Sequence, residues 1–208
     1  MALPGEGSMP APLLIGSRLR VVAPGTARAS DGRIDLVMAP GAFGSGEHET
    51  TASCLEMLAE LEGLAGASVL DLGSGTGILA IAALRLGAER ALCVDVDPKA
   101  VECARRNCIA NGLGDRAQHL AGELHDVGES SFDLVLANLH GDLLLALAPE
   151  LIGCARPGGR LLLSGIAWEQ RFDVRQRLLR LDCELGPERM LAEYTTLLAH
   201  TRLSQPER

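Results

Sequence analysis

Two acids and three glycines stand at the spacing of a nucleoside half-site. An apolar run, residues 68–72, carries Asp71 and ends in Gly73-Ser-Gly75-Thr-Gly77. A helical pattern, 78–86, follows directly, so the stretch reads as a buried strand, a tight turn and a helix N-terminus. A second apolar run, 91–94, ends in Asp95, 22 residues after Gly73. Glycines at Gly73, Gly75 and Gly77 let the backbone approach a ligand closely. An acid at the end of the next strand, Asp95, can accept two ribose hydroxyls.

The glycine spacing narrows the ligand. A dinucleotide fingerprint, G-x-G-x-x-G/A, needs Gly or Ala at position 78, where this chain has Ile78. A P-loop needs a phosphate-binding lysine after its glycines, and none follows. The form D-x-G-x-G-x-G instead resembles motif I of the class I S-adenosylmethionine-dependent methyltransferases. A lone glycine turn is a common βα connection; here the strand, the glycines, the helix and the second acid-ended strand occur together.

A second glycine-rich segment precedes the first: Pro40-Gly-Ala-Phe-Gly-Ser-Gly-Glu-His-Glu-Thr-Thr51. Its glycines predict a loop that folds over a bound ligand, and Thr50 or Thr51 can supply an N-cap hydroxyl to the helix that follows. With motif I, this loop is similar to that of the PrmA group, methyltransferases that modify a ribosomal protein of the large-subunit stalk base. The group's loop reads approximately F-G-T-G-x-H-x-T-T, against Phe43-Gly-Ser-Gly-Glu-His-Glu-Thr-Thr51; its motif I continues like Gly73-x-Gly-x-Gly-Ile-Leu-Ala-Ile-Ala-Ala83; its second strand ends like Val94-Asp-Val-Asp-Pro98. The resemblance runs from about Leu36 to about Thr196. It implies a class I fold, S-adenosyl-L-methionine as cofactor, and a protein amino group, such as a lysine of a ribosomal protein, as methyl acceptor. It points to Thr51, Gly73, Asp95 and Asn138 as cofactor contacts, with Gly75, Gly77 and Phe43 beside them.

Asn138 ends a further strand, 132–137. Its amide both donates and accepts, so it can hold the cofactor's methionine end or orient the incoming amine; a helix N-cap is its plainer role. Glu123, after the strand 117–121, can bring an acid near the adenine or simply be solvated. A lysine acceptor must lose its proton before attack, and His48, His140 and Glu47 are the proton acceptors at hand, each of which also reads as structural or solvated. His140 is assigned with Asn138 to the catalytic edge.

Three departures from the group bear on the substrate. Asn138 is followed by Leu139-His140-Gly141 rather than an apolar pair, Glu49 stands where proline is frequent, and only about 35 residues precede the loop, too few for the substrate-recognition domain of longer members. Other acceptors remain open: an amine of a small molecule or nucleic acid, or a cofactor-binding subunit without turnover. Base methyltransferases usually carry N/D-P-P-Y/F at the Asn138 position, and Asn-Leu-His-Gly has neither the prolines nor the ring. The net charge of −8 also argues against direct nucleic-acid binding and suits a basic protein partner.

The positioning elements follow from periodicity. A small hairpin pairs 19–22 with 34–38. Helices are expected at 51–61, 77–86, 98–111, 141–155 and 168–180, and strands at 68–72, 91–95, 117–121, 132–137 and 160–164, with 181–185 and 194–199 as a closing antiparallel pair. This alternation predicts an α/β fold: a doubly wound, mostly parallel seven-stranded sheet, Rossmann-like, with an antiparallel closing strand. The expected division is a flexible leader with room for the hairpin at 1–35, a catalytic domain at 36–200 and a tail at 201–208. Aromatics are only 2% of 208 residues, so Leu, Val, Ile and Ala must fill the core. Six cysteines without a C-x-x-C pair read as buried, reduced thiols in a cytoplasmic protein. No apolar span or signal-peptide pattern points to a membrane.

Overall fold

A computed structural model describes residues 11–28, 30–39, 48–128 and 131–203. Three short strands come first: β1 (Leu13–Ile15), β2 (Leu19–Val22) and β3 (Ile34–Val37). The chain then alternates through α1 (Glu49–Glu60), β4 (Ser68–Leu72), α2 (Ile78–Arg85), β5 (Arg90–Asp95), α3 (Pro98–Ala110), β6 (Ala117–Ala121), β7 (Phe132–Asn138), α4 (Gly141–Cys154), β8 (Ala155–Ala167) and α5 (Trp168–Arg180). It closes with β9 (Glu184–Met190) and β10 (Tyr194–His200).

The seven-stranded sheet has the order β6-β5-β4-β7-β8-β10-β9. Parallel registers include Leu72 with Val94 and Leu72 with Ala137. β10 is antiparallel to both β8 and β9, the expected closing reversal. The chain builds outward from β4 through β5 to β6, then returns to lay β7 on the other side of β4. Strand order therefore reverses at β4, the place where ligands bind in such sheets.

Burial explains the composition. All five residues of β4 are buried, as a central strand covered on both faces requires. Side chains alternate, so Val69 joins one core layer with Leu55, Leu58, Ile81 and Leu84, while Leu70 joins the other with Leu144, Leu151, Val174 and Leu178. Helix α2 is apolar all round, and its residues 78–84 are all buried.

Three expectations are corrected. Strands 19–22 and 34–37 pair in parallel, Leu19 with Ile34 through Val22 with Val37, not as a hairpin. The connection is 23–33, long enough to carry the chain back to the starting end; the true hairpin is β1 with β2 around Gly16, φ +52°. These strands bury Ile15, Leu19, Val21 and Leu36 in the α1–α2 core layer. β8 starts at Ala155, not 160, because Pro157-Gly158-Gly159 form an irregularity between the pairs Phe132–Ala155 and Leu134–Arg160 rather than a break. The expected run 181–185 spans three conformations: Leu181 caps α5, Asp182 turns at φ +61°, and β9 extends onward to Met190 as a polar, half-buried edge strand.

Two asparagines fasten the outer elements. The Asn111 amide donates to Val37 O (2.8 Å) and its Oδ1 accepts from Val37 N–H (2.9 Å), joining α3 to β3 as a strand edge would. Asn107 donates to Thr76 O at 2.9 Å and anchors the glycine turn to the same helix.

Candidate cofactor and acceptor site

The glycine turn is held from beneath. Gly73, Gly75 and Gly77 have φ of +66°, +53° and +77°, a region costly for other residues. The N–H groups of Gly73 and Ser74 both donate to Val94 O, at 2.8 and 3.0 Å. The Asp95 carboxylate accepts from Gly75 N–H (2.8 Å) and from Asp97 N–H (3.0 Å), so the acid at the end of β5 also fixes the turn at the end of β4. Asp97 is the N-cap of α3, accepting from Lys99 N–H at 2.9 Å, with Pro98 at the first helical position.

The three glycines do different things. A Cβ on Gly73 would lie 2.5 Å from Leu139 Cδ2, and Gly73 lines two cavities. Gly75 lines one. Gly77 lines neither; a Cβ there would sit 3.0 Å from Ala104 Cβ, so Gly77 serves the left-handed entry into α2 and its close packing on α3.

The cavities flank Leu139 at the switch point. One, of about 560 Å³, is lined by Asp95, Val96, Gly122, Glu123, Leu124 and Leu147. Val96 is exposed there, an apolar surface beside the carboxylate. The other, of about 420 Å³, is lined by Thr50, Thr51, Asp71, Ser74, Asn138, His140 and Tyr194. Gly73, Leu139 and Leu143 line both. The volumes suit small-molecule sites, and together they offer an acid with apolar walls on one side and a polar cluster on the other.

In the second cavity the Asn138 amide donates to Thr50 Oγ1 (3.2 Å) and Thr51 Oγ1 (3.3 Å). With its NH2 held, the group Asn138 has to offer a ligand is its carbonyl oxygen. Neither threonine is the N-cap of α1. His48 is: its Nδ1 accepts from Thr50 N–H (3.4 Å) and lies 2.8 Å from Thr50 Oγ1. His48 also meets the Tyr194 ring edge-on, centroids 5.7 Å apart. His140 occupies the N-cap position of α4 without a side-chain capping bond, leaving its imidazole uncommitted in that role. Glu49 receives Ala192 N–H at 3.2 Å and Glu193 N–H at 3.4 Å, tying the start of α1 to the turn that leads into Tyr194.

Burial sets the local electrostatics. Desolvation pushes the Asp71 carboxyl up to about 8, against a smaller opposing effect of the Ala80 N–H it accepts at 3.0 Å. Asp133, at the opposite end of the sheet, has the reverse balance. Partial burial would raise it, but hydrogen bonds from Ser68 N–H and Oγ, both at 2.8 Å, and from Arg156 hold it down to about 2. Burial raises the Cys54 thiol to about 12, as befits an inert core cysteine.

The structure therefore brings Thr51, Gly73, Gly75, Asp95, Glu123, Asn138 and His140 to one edge, with Gly77 directed into packing. Glu123 lines the first cavity with its side chain largely in solvent. Phe43 and Glu47, with most of the glycine loop, lie outside the described residues. Sequence reasoning missed Ser74 and Tyr194. Ser74 was hidden among glycines. Tyr194 was legible only as a strand residue, and it reaches the site because β10 pairs Tyr194 with Ala167 at the carboxyl end of β8.

Residues 9–199 match the family described as ribosomal protein L11 methyltransferase (PrmA). The ribosomal protein L11 methyltransferase of Azotobacter vinelandii is 47% identical over 165 residues, 79% of this chain and 56% of that protein. That of Trichlorobacter lovleyi is 44% identical over 172 residues, with the same two coverages. The chain thus spans 56% of the length of these curated relatives. The ribosomal protein L11 methylase of Lactobacillus delbrueckii subsp. bulgaricus superposes with a TM-score of 0.82 at 27% identity, over 92% of this chain and 98% of that one. An O-methyltransferase family protein of Burkholderia thailandensis, at 18% identity and TM-score 0.63 over 76% of this chain and 62% of that one, shares the fold. The motifs, the strand order and these matches agree: the chain belongs to the ribosomal protein L11 methyltransferase (PrmA) family.

Proposed function

We propose that this chain binds S-adenosyl-L-methionine across the glycine turn and transfers its methyl group to an amino group of a protein, a lysine of a ribosomal protein above all. The observation that carries the reading is the pair of cavities meeting over Gly73, one with Asp95 at its wall and the other with Asn138, Thr51 and Ser74. The residues fit that cofactor chemically. Asp95 spends one acceptor bond per oxygen on backbone N–H groups, and a carboxylate has about four such sites, so two remain for a ribose diol. Val96, Leu124 and Leu147 give the adenine an apolar slot. Ser74 Oγ is buried on the wall of the second cavity with no hydrogen-bond partner among the described residues, the kind of orphan a polar ligand group satisfies.

Bound there, the cofactor supplies an activated methyl group on a sulfonium. The chain's own residues position the acceptor. Asn138, fixed by Thr50 and Thr51, presents Oδ1 as an acceptor to an amine N–H and thereby aims the lone pair. His140 is the group that takes the acceptor's proton, since His48 is committed to capping α1. Leu139, Leu143 and Tyr194 exclude water and favour a neutral amine over an ammonium. Alignment of this kind supplies roughly 7–11 kcal/mol of rate enhancement.

None of the six cysteines is in a disulfide and five of them are buried, which supports a reducing, cytoplasmic setting. Among the described residues no helix is long and apolar enough to cross a membrane. The test of the reading is calorimetry with S-adenosylmethionine and its demethylated product against NAD and ATP. The first pair should bind and the second pair should bind far more weakly; equal or inverted affinities would overturn the assignment.

A further inference from the structure

Helix α5 buries Val174 and Leu178 against the sheet, yet its first turns leave Trp168 51% and Phe172 67% exposed, one helical turn apart. The chain has one Trp, one Tyr and three Phe, so two of its five aromatics face solvent at a single spot. That spot adjoins the second cavity. α5 begins at the carboxyl end of β8, the edge that carries Gly73, Asp95 and Asn138. Ala167, immediately before Trp168, pairs with Tyr194 of the cavity wall. Gln170 donates to Asp142 Oδ1 at 2.6 Å, joining α5 to the first turn of α4, where Leu143 is 46% exposed and lines both cavities. The start of α5 therefore stands beside the cavity mouth.

Acids border the aromatics on one side of α5 and arginines on the other. Glu169 and Asp173 are exposed on α5 beside the aromatics. The neighbouring cations, Arg171 and Arg175, both bond to Glu188, at 2.7 Å each. Aromatic faces beside uncommitted carboxylates suit a cationic, partly apolar polypeptide: guanidinium and ammonium groups stack on the rings and pair with the acids.

We propose that the Trp168–Phe172 face of α5, with Glu169 and Asp173, docks the basic polypeptide segment that flanks the acceptor amine. This proposal rests on the reading of the second cavity as an amine acceptor site. Trp168 is the chain's single tryptophan and so reports docking without any need for turnover. The probe is a blocked dodecapeptide of lysine, arginine, alanine and one leucine, compared with its glutamate counterpart. The basic peptide should shift Trp168 emission in a salt-sensitive manner and the acidic one should not. The double variant Glu169→Lys with Asp173→Lys, and separately Phe172→Ala, should each raise half-saturation by at least about tenfold while leaving the calorimetric affinity for S-adenosylmethionine unchanged. No emission change with the basic peptide, equal response to both peptides, or a concentration-dependent dimer abolished by Phe172→Ala would overturn the proposal. Failure of cofactor binding in the same preparation, with the peptide response intact, would count against the site reading and not against the docking face.

Discussion

Replacement of Asp95 by alanine separates the two jobs assigned to this carboxylate. In the folded chain it receives Gly75 N–H at 2.8 Å and Asp97 N–H at 3.0 Å, so it holds the glycine turn and the entry of α3 together before any ligand arrives. Hydrogen bonds to charged groups contribute about 1.5–3 kcal/mol each, but both N–H groups are near solvent and water replaces part of the loss. The unliganded protein should therefore lose about 1.5–3 kcal/mol, the value of one such bond rather than two. For a chain of this size that is a fall in Tm of roughly 3–12 °C. Affinity for S-adenosylmethionine should fall by a further 1.5–3 kcal/mol or so, roughly 10- to 150-fold in Kd, because the ribose diol loses its charged acceptor. Calorimetric titration of the wild type and the variant, with the cofactor and with an analogue lacking the ribose 2′-hydroxyl, isolates the diol contribution. The analogue should be penalised in the wild type and far less in the variant. Equal affinity of both proteins for the natural cofactor would refute the assignment. An identical penalty for the analogue in both would reduce Asp95 to a scaffold residue.

Other outcomes follow from the same geometry. His140→Leu should lower kcat by about 10²-fold or more and leave cofactor affinity nearly intact, since this side chain lines the acceptor cavity and caps nothing; steady-state kinetics beside calorimetry checks the split. Gly77→Ala should cost at least about 1–2 kcal/mol in denaturant unfolding, because φ is +77° and the new methyl meets Ala104 at 3.0 Å. Stability should also depend on pH through two aspartates, against an unfolded value of about 3.9. The folded Asp71 carboxyl sits higher, at about 8, so folding binds a proton there and stability falls as pH climbs from about 4 to 8; Asp71→Asn should flatten that slope. The folded Asp133 sits lower, at about 2, so its contribution is full above about pH 4 and is lost as pH falls toward 2; Asp133→Asn should blunt that acid limb in thermal melts.

The central β-α-β unit was legible because its signals are local and redundant. β4 is an unbroken buried run, α2 is apolar all round, and three glycines and two acids mark the turns between them. Asp97 and Pro98 announced α3 by ordinary capping chemistry. The errors arose where pairing is non-local or apolar content is low. Nothing in 19–22 and 34–37 encodes direction, which the length of the connection decides. β9 is a polar edge strand whose apolar preface belongs to the end of α5. At the site, Asp95, Asn138 and Thr51 could be named from type and position. Their mutual arrangement could not: that Asp95 braces Gly75, that Asn138 is clamped by two threonines, and that Leu139 stands over Gly73 between two cavities are facts of packing. The aromatic face of α5 was invisible for the same reason, since periodicity marks which residues are apolar and not which are left uncovered.

The central claim is methyl transfer from the glycine-turn site to a protein amine, and one measurement addresses it directly. The purified chain is incubated with S-adenosylmethionine labelled in the methyl group and with total ribosomal protein, and the products are separated by class and sequenced by mass spectrometry. Label should appear on lysine amino groups of protein and vanish in Asn138→Ala. Label confined to nucleic acid or small molecules, or absent from every class while the cofactor binds the site, would contradict it.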